Sequence, residues 1–379
     1  MIAKRAAKIA PFLAMDVLER AQALEQQGAD IVHLEIGEPD FDAPDCVKVA
    51  MQRAMADGQT HYTHSLGDLR LREAICAYYA ETYGVDVSPE QVLVSSGTSP
   101  VMMLLFAALL DEDDEVILSD PRYACYSNMV CFAGGVTADV PVYEEDAFQL
   151  DPVAVRERIT PRTRAIMINS PSNPTGTLLS AERMAALAEL GVPIISDEIY
   201  HGLVYEGRER SILEFTPDAF VLNGFSKLYA MTGLRLGYLI APQAYMRTIQ
   251  KLQQNFFISA NAPAQQGGIA ALTCGGEDVA RMKAIYDERR RFMIARLREL
   301  GLGVAVEPTG AFYVFANARH LGSDSLSLAF DILERAHVGV TPGIDFGPNG
   351  EGFMRFSYAT SIERIAEGLN RLEAYLAGR

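Results

Sequence analysis

Apolar residues fall along this chain in short unbroken runs separated by stretches of helical spacing. QVLVSSG (91–97), EVILSD (115–120), RAIMINS (164–170), VPIISDE (192–198), AFVLNGFS (219–226) and RLGYLIAP (235–242) are rich in Val, Ile and Leu without polar alternation. Such runs predict strands covered on both faces, because a strand with one wet face alternates. Between them, apolar positions recur at three and four residues over roughly 99–110, 123–133 and 180–190, which predicts helices. The rhythm predicts an α/β fold, a mainly parallel sheet between helix layers.

After about residue 275 the rhythm changes. A long charged helix (roughly 278–300) leads to the strand-like VAVEPTGAFYVFAN, a helix near 325–336, then VGVTPG, GFMRFSYA and a terminal helix near 361–377. This predicts a large domain over 41–277, a smaller α+β domain over 278–379, and an N-terminal segment, 1–40, packing with the small domain. In open parallel sheets ligands bind beyond the carboxyl ends of the strands. Chemistry is therefore expected in SSGTS, SDPRY, NSPSNPTG, SDEIY and NGFSK, which follow or end those strands.

Composition narrows the function classes. Of 379 residues, 49% are hydrophobic and 22% charged, an ordinary globular balance. The net charge of −16 opposes phosphate backbones, so no nucleic-acid partner is expected. Five cysteines, none in a C-x-x-C pair, argue against a disulfide framework or thiolate zinc site. The N-terminal apolar stretch is broken by Pro11 and Asp16. No window approaches ~18 uninterrupted apolar residues, so no membrane span is expected and a cytoplasmic location is. His61 and His64 lack further partners at metal spacing, so no metal site is expected, and DEDDE (111–115) reads as a solvated turn.

Each candidate motif carries two readings when taken alone. In SSGTSPVMMLLF, Ser96, Gly97 and Thr98 lie where a strand turns into a helix, a place for an ordinary N-cap or for an anion cup of free N–H groups. NSPSNPTG is either a plain turn or a rigid loop aiming the Asn173 amide into the cleft, with two X-Pro bonds that could be cis. Asp197 ends an apolar strand, as a structural acid or as a buried carboxylate holding a proton on a ring nitrogen; Tyr200 follows three residues on. Lys227 stands in NGFSKLYAMTGLRLGY (223–238), a run poor in charge, where an ammonium is costly and a Schiff-base amine is favoured.

In those strings the chain resembles the class I and II aminotransferases, the fold-type I enzymes dependent on pyridoxal phosphate. The resemblance runs in order through GEPDF (37–41), HYTHSLGDLRLREAI (61–75), SSGTS, DPRYACY, NSPSNPTG, SDEIY, NGFSKLYAMTGLRLGY and GFMRFSYATS. It implies a seven-stranded sheet in the large, cofactor-binding domain, and a ping-pong transfer of an α-amino group from an L-amino acid to a 2-oxo acid. Lys227 would form the aldimine and shuttle the Cα proton, with Asp197 on the pyridinium nitrogen. Asn173 and Tyr200 would hold the ring's 3-oxygen, while Ser96, Gly97, Thr98 and Arg235 would hold the phosphate. Tyr123 would stack on the ring. Arg355 would clamp the substrate α-carboxylate, helped by Gly37. Tyr62 would reach a partner's phosphate, which implies a homodimer with shared sites.

The chain departs from the family pattern in two places. Some relatives carry a serine three residues before the lysine, where this chain has Gly224; Ser226 stands just before Lys227. Dicarboxylate-specific relatives often offer an arginine for the distal carboxylate, and QQNFFISANAPAQQ (253–266) contains none. The main alternative is a C–S β-lyase on the same fold, since elimination shares the carbanion. A binding or regulatory protein comes last, because the chemistry-bearing residues are all present.

Overall fold

In a computed structural model of the chain, residues 2–378 are described. The central sheet has seven strands in the spatial order Val92–Ser95, Gly237–Ile240, Ala219–Gly224, Ile194–Asp197, Thr163–Asn169, Glu115–Asp120 and Val136–Pro141. Gly237–Ile240 is antiparallel to both its neighbours, and the other pairings are parallel. The six apolar runs all form strands of this sheet. Val136–Pro141 did not announce itself, because it lies at the edge, is largely half-exposed and carries Thr137 and Asp139 among its apolar residues.

Register brings the chemistry together. Asn169, Asp197 and Leu222 sit side by side at the carboxyl ends of three parallel strands. The antiparallel strand starts at the same edge, with Gly237 opposite both Gly224 and Ser95. The turns after Ser95 and Gly224 and the turn before Gly237 therefore converge. Both faces of the sheet are covered, by helices such as Thr98–Leu109 and Gln243–Phe256 on one side, and the strand interiors are almost wholly buried.

The C-terminal part is built differently. Helix Gly276–Glu299 leads to an antiparallel sheet of Tyr313–Asn317, Phe353–Ser357 and Thr341–Pro342. Helices Ser325–Ala336 and Ile362–Ala377 pack beside it. The N-terminal segment joins this part, since Val32–His33 pairs in parallel with Val338–Gly339. Helix Leu13–Glu25 begins on the Asp345 carboxylate, which accepts from the N–H groups of Leu13 (2.8 Å) and Ala14 (3.1 Å). A carboxylate there satisfies two amide donors that a helix start leaves free.

The acidic run at 111–115 corrects one expectation. Only Asp111, Glu112 and Asp113 are exposed. Asp114 and Glu115 are buried and paired with Arg164 (2.9 Å) and Arg162 (2.6 Å), because the strands beginning at Glu115 and Thr163 run side by side. Among the described residues no helix is long and apolar enough to cross a membrane.

Candidate active site

A cavity of about 420 Å³ opens where the strand ends, the N-terminal segment and the C-terminal part meet. Lys227, Asp197, Tyr200, Asn173, Tyr123, Thr98, Arg235, Gly37 and Arg355 all line it. These residues come from across nearly the whole sequence, and the sheet edge is what gathers them.

Lys227 follows the Ala219–Gly224 strand, and its Nζ donates to the Gly37 carbonyl at 2.7 Å. Burial pulls the ammonium down to about 8, with Arg355 and Arg235 adding repulsion against the opposing pull of Glu38 and Asp197. Asp197 is pushed up to about 6 by burial. The Tyr126 hydroxyl (2.6 Å) and the Ile199 N–H (3.2 Å) both donate to the carboxylate and work the other way. An amine held near neutrality and a sequestered carboxylate thus share one cavity, an arrangement suited to proton transfer.

Arg355 is buried on the Phe353–Ser357 strand. Its guanidinium donates to Asn173 Oδ1 (2.9 Å), the Glu35 carbonyl (2.6 Å) and Thr341 Oγ1 (3.1 Å), and it lies over the Tyr313 ring. Its Nε is buried with no hydrogen-bond partner among the described residues. A guanidinium held by three acceptors in the cavity wall presents a fixed cation to an anionic ligand.

The turn between Ser95 and helix Thr98–Leu109 is shaped for close approach. Gly97 has φ +100°, and a Cβ there would lie 2.5 Å from an Arg235 terminal nitrogen. Gly237 is equally confined, since its Cβ would lie 2.8 Å from the Thr98 nitrogen. The glycines let an arginine sit against the open amino end of a helix, an arrangement that favours an anion.

Three expected residues, Ser96, Gly97 and Tyr62, are not part of the cavity wall. Ser96 is half-buried beside it and not in its wall, and Tyr62 is exposed on the loop before Leu66. Gly97 acts through the room it leaves. Tyr200 lines the cavity with its hydroxyl bonded to that of Tyr313 at 2.8 Å. Both X-Pro bonds of NSPSNPTG are cis, as is Asp120–Pro121. Sequence reasoning passed over Tyr126, which lies in the first turn of helix Cys125–Phe132 with its ring edge-on to that of Tyr123. It also passed over Tyr313, whose hydroxyl fills the space that a Cβ on Gly37 would need.

A family model described as aminotransferase class I and II matches residues 29–372. The chain belongs to that family. An aspartate aminotransferase of Pyrococcus horikoshii is 39% identical over 386 residues, covering 100% of this chain and 97% of its own. A (5-formylfuran-3-yl)methyl phosphate transaminase of Methanocaldococcus jannaschii is 39% identical over 381 residues, covering 99% of this chain and all of its own. Among solved structures, the aspartate aminotransferase of Thermus thermophilus with maleate superposes with a TM-score of 0.95 at 38% identity, covering 99% of both chains. This aminotransferase is therefore an enzyme of the fold-type I architecture, and the β-lyase alternative draws no support from these relatives.

Proposed function

We propose that this aminotransferase moves the α-amino group of an L-amino acid to a 2-oxo acid by a ping-pong mechanism, with pyridoxal phosphate as its cofactor. The observation that carries the reading is Lys227, a buried amine lowered to about 8 in one cavity with Asp197, Arg235 and Arg355. The residues fit the group. Lys227 offers the amine for its aldehyde, Asp197 a carboxylate for its ring nitrogen, and Asn173 and Tyr200 the polar contacts for its 3-oxygen. Gly97, Thr98, Arg235 and the neighbouring Ser96 would hold the phosphate, and Tyr123 would cover one ring face. When bound, pyridoxal phosphate supplies an electron sink for the charge left at a substrate's Cα.

The chain's own residues then do the rest. Arg355, fixed in the cavity wall by Asn173, the Glu35 carbonyl and Thr341, would bind and orient the α-carboxylate, helped by the Gly37 backbone, with the Cα–H bond toward Lys227. With a pKa near 8, Lys227 Nζ gives and takes a proton near neutral pH at little cost in either direction. Asp197, buried and fixed by Tyr126, would hold a proton on the ring nitrogen.

The same reading divides the chain into a cofactor-binding domain over 41–277 and a small domain over 278–379 that takes in residues 1–40, supported by the pairing of Val32–His33 with Val338–Gly339. It makes the enzyme a homodimer in which exposed Tyr62 reaches the partner subunit's phosphate site. Five unpaired cysteines fit a cytoplasmic setting. In the test, Lys227→Ala loses turnover by at least about four orders of magnitude and keeps its circular dichroism. Borohydride reduction of the wild-type holoenzyme labels the Lys227 peptide with the cofactor. Full activity in the variant, or a label elsewhere, would overturn the reading.

A further inference from the structure

We infer that the preferred amino-acid substrate carries an uncharged, apolar side chain, aromatic or branched, rather than a second carboxylate, because the wall left for that side chain is hydrocarbon backed by acids. The inference rests on the function proposed above, which commits Lys227, Arg235 and Arg355 to the cofactor's aldehyde, its phosphate and the substrate α-carboxylate. Among the described residues these three are the cations of the cavity wall. None remains for a distal carboxylate.

The rest of the wall points the same way. Phe12, Ala14, Met15, Leu18 and Ile36 close the cavity from the N-terminal segment. The Phe12 ring stands edge-on to Tyr123, with centroids 6.0 Å apart, so an aromatic surface continues outward from the ring expected over the cofactor. Around this wall stand three acids and one histidine, His33, which its hydrogen bond to Glu35 raises to about 9, so that it pairs with that acid alone among the three. Glu35 is buried, with Oε2 unpartnered and Oε1 held by His33 Nδ1 at 2.6 Å. Glu38 accepts from the Thr232 hydroxyl, and Asp345 sits behind Leu13 and Ala14. A second substrate carboxylate would lie unpaired against hydrocarbon and near these acids.

The segments nearest Tyr62 give a second copy of the chain little positive charge to contribute. The Tyr62 loop is tied to 250–266 by Gln265 donating to Thr63 (3.0 Å) and by Gln250 and Gln254 donating to Ser65 (2.9 and 3.1 Å). A partner that brings Tyr62 to the site brings this segment with it. Across 59–66 and 250–266 the one Lys or Arg is Lys251, next to Gln250 on helix Gln243–Phe256, while Phe256, Phe257 and Ile258 are exposed.

The test uses the dimeric holoenzyme and single amino acids without oxo acid, followed by the loss of the cofactor's visible band. Phenylalanine and leucine are expected to convert with a specificity constant on the order of 100-fold above aspartate and glutamate. By calorimetry, 3-phenylpropanoate is expected to bind at least about tenfold tighter than succinate, a readout independent of turnover. Phe12→Ala should cut the phenylalanine constant about tenfold more than that for alanine. Aspartate or glutamate converting as well as phenylalanine, or succinate binding as tightly, overturns the inference and leaves the proposed function standing. Conversion of no amino acid at all overturns both.

Discussion

The Tyr126 hydroxyl donates to Asp197 Oδ2 at 2.6 Å, and both groups are wholly buried. Burial alone would push the carboxyl far up; this bond, with the Ile199 N–H, is what restrains it near 6. Hydrogen bonds to a charged group contribute about 1.5–3 kcal/mol, roughly one to two pKa units. In the cofactor-free protein Tyr126→Phe should therefore raise the Asp197 pKa by ~1 unit or more. Carbon-13 NMR of the labelled carboxyl measures it directly. A less ionised partner holds a ring-nitrogen proton less well, so kcat at pH 7 should fall about tenfold. An unchanged titration would show that Tyr126 merely packs there.

Glu198, the neighbour of Asp197, points into the core instead. Its carboxylate accepts from Ser196 Oγ (3.2 Å), Ser211 Oγ (3.0 Å), Ile212 N–H (3.0 Å) and Tyr79 Oη (3.2 Å), yet burial still pushes it up to about 8. His201, 3.5 Å away, is lowered to about 3 by burial and so gives no ion pair at neutral pH. A folded pKa above the unfolded value means the folded state binds more protons from about pH 4.5 to 8, and stability falls as pH rises through that window. Between pH 6 and 8 Glu198 should contribute ~2 kcal/mol of lost stability in the cofactor-free protein, and His33, raised to about 9 by its hydrogen bond to Glu35, adds to the fall in the same window. Urea unfolding at the two pH values reads this. Glu198→Gln should shrink the difference by ~2 kcal/mol and leave the His33 share, and an equal slope in the variant would refute the assignment.

Gly97 makes a prediction about anion binding. Alanine there would be strained at φ +100°, and its Cβ would meet the Arg235 terminal nitrogen at 2.5 Å. The flexible arginine end gives way before the backbone does. Gly97→Ala should weaken pyridoxal phosphate binding to the cofactor-free protein by about 10- to 100-fold. It should also lower Tm by only a few degrees, at a cost of about 1 kcal/mol. Fluorescence titration decides it; unchanged affinity would mean Arg235 does not serve the phosphate.

The strands and most site residues were legible because the forces that place them are local in sequence. QVLVSSG or VPIISDE must be buried on both faces, and what ends such a strand in an open sheet faces the cleft. Val136–Pro141 escaped because an edge strand needs no continuous apolar run. Tyr126 and Tyr313 escaped because a tyrosine gives no sign in sequence of where its hydroxyl is satisfied. Tyr126 meets an acid 71 residues away, and Tyr313 a hydroxyl 113 residues away. Asp114 and Glu115 read as solvent-facing because their arginines, Arg164 and Arg162, lie at the start of a neighbouring strand and just before it. Long-range pairing is the layer that composition and periodicity do not carry.

Gly224 shows how such pairing decides a departure from the family pattern. Some relatives have a serine at this position, and its loss would seem to cost the phosphate site a hydroxyl. In this chain Gly224 faces Gly237 across an antiparallel pair, and a Cβ on it would lie 2.9 Å from the Gly237 Cα and 3.0 Å from the Leu236 carbonyl. Both contacts are backbone, so neither yields by a rotamer change. Gly224→Ser should therefore not tighten cofactor binding. It should destabilise the protein by about 1–3 kcal/mol, as overpacking does, and separate the Gly237 strand from the Arg235 turn it anchors. Thermal unfolding alongside cofactor titration tests this. A variant with unchanged Tm and tighter binding would mean the two strands part easily and the missing hydroxyl was a real deficit; lower Tm with equal or weaker binding would show that the glycine is required by its opposite number.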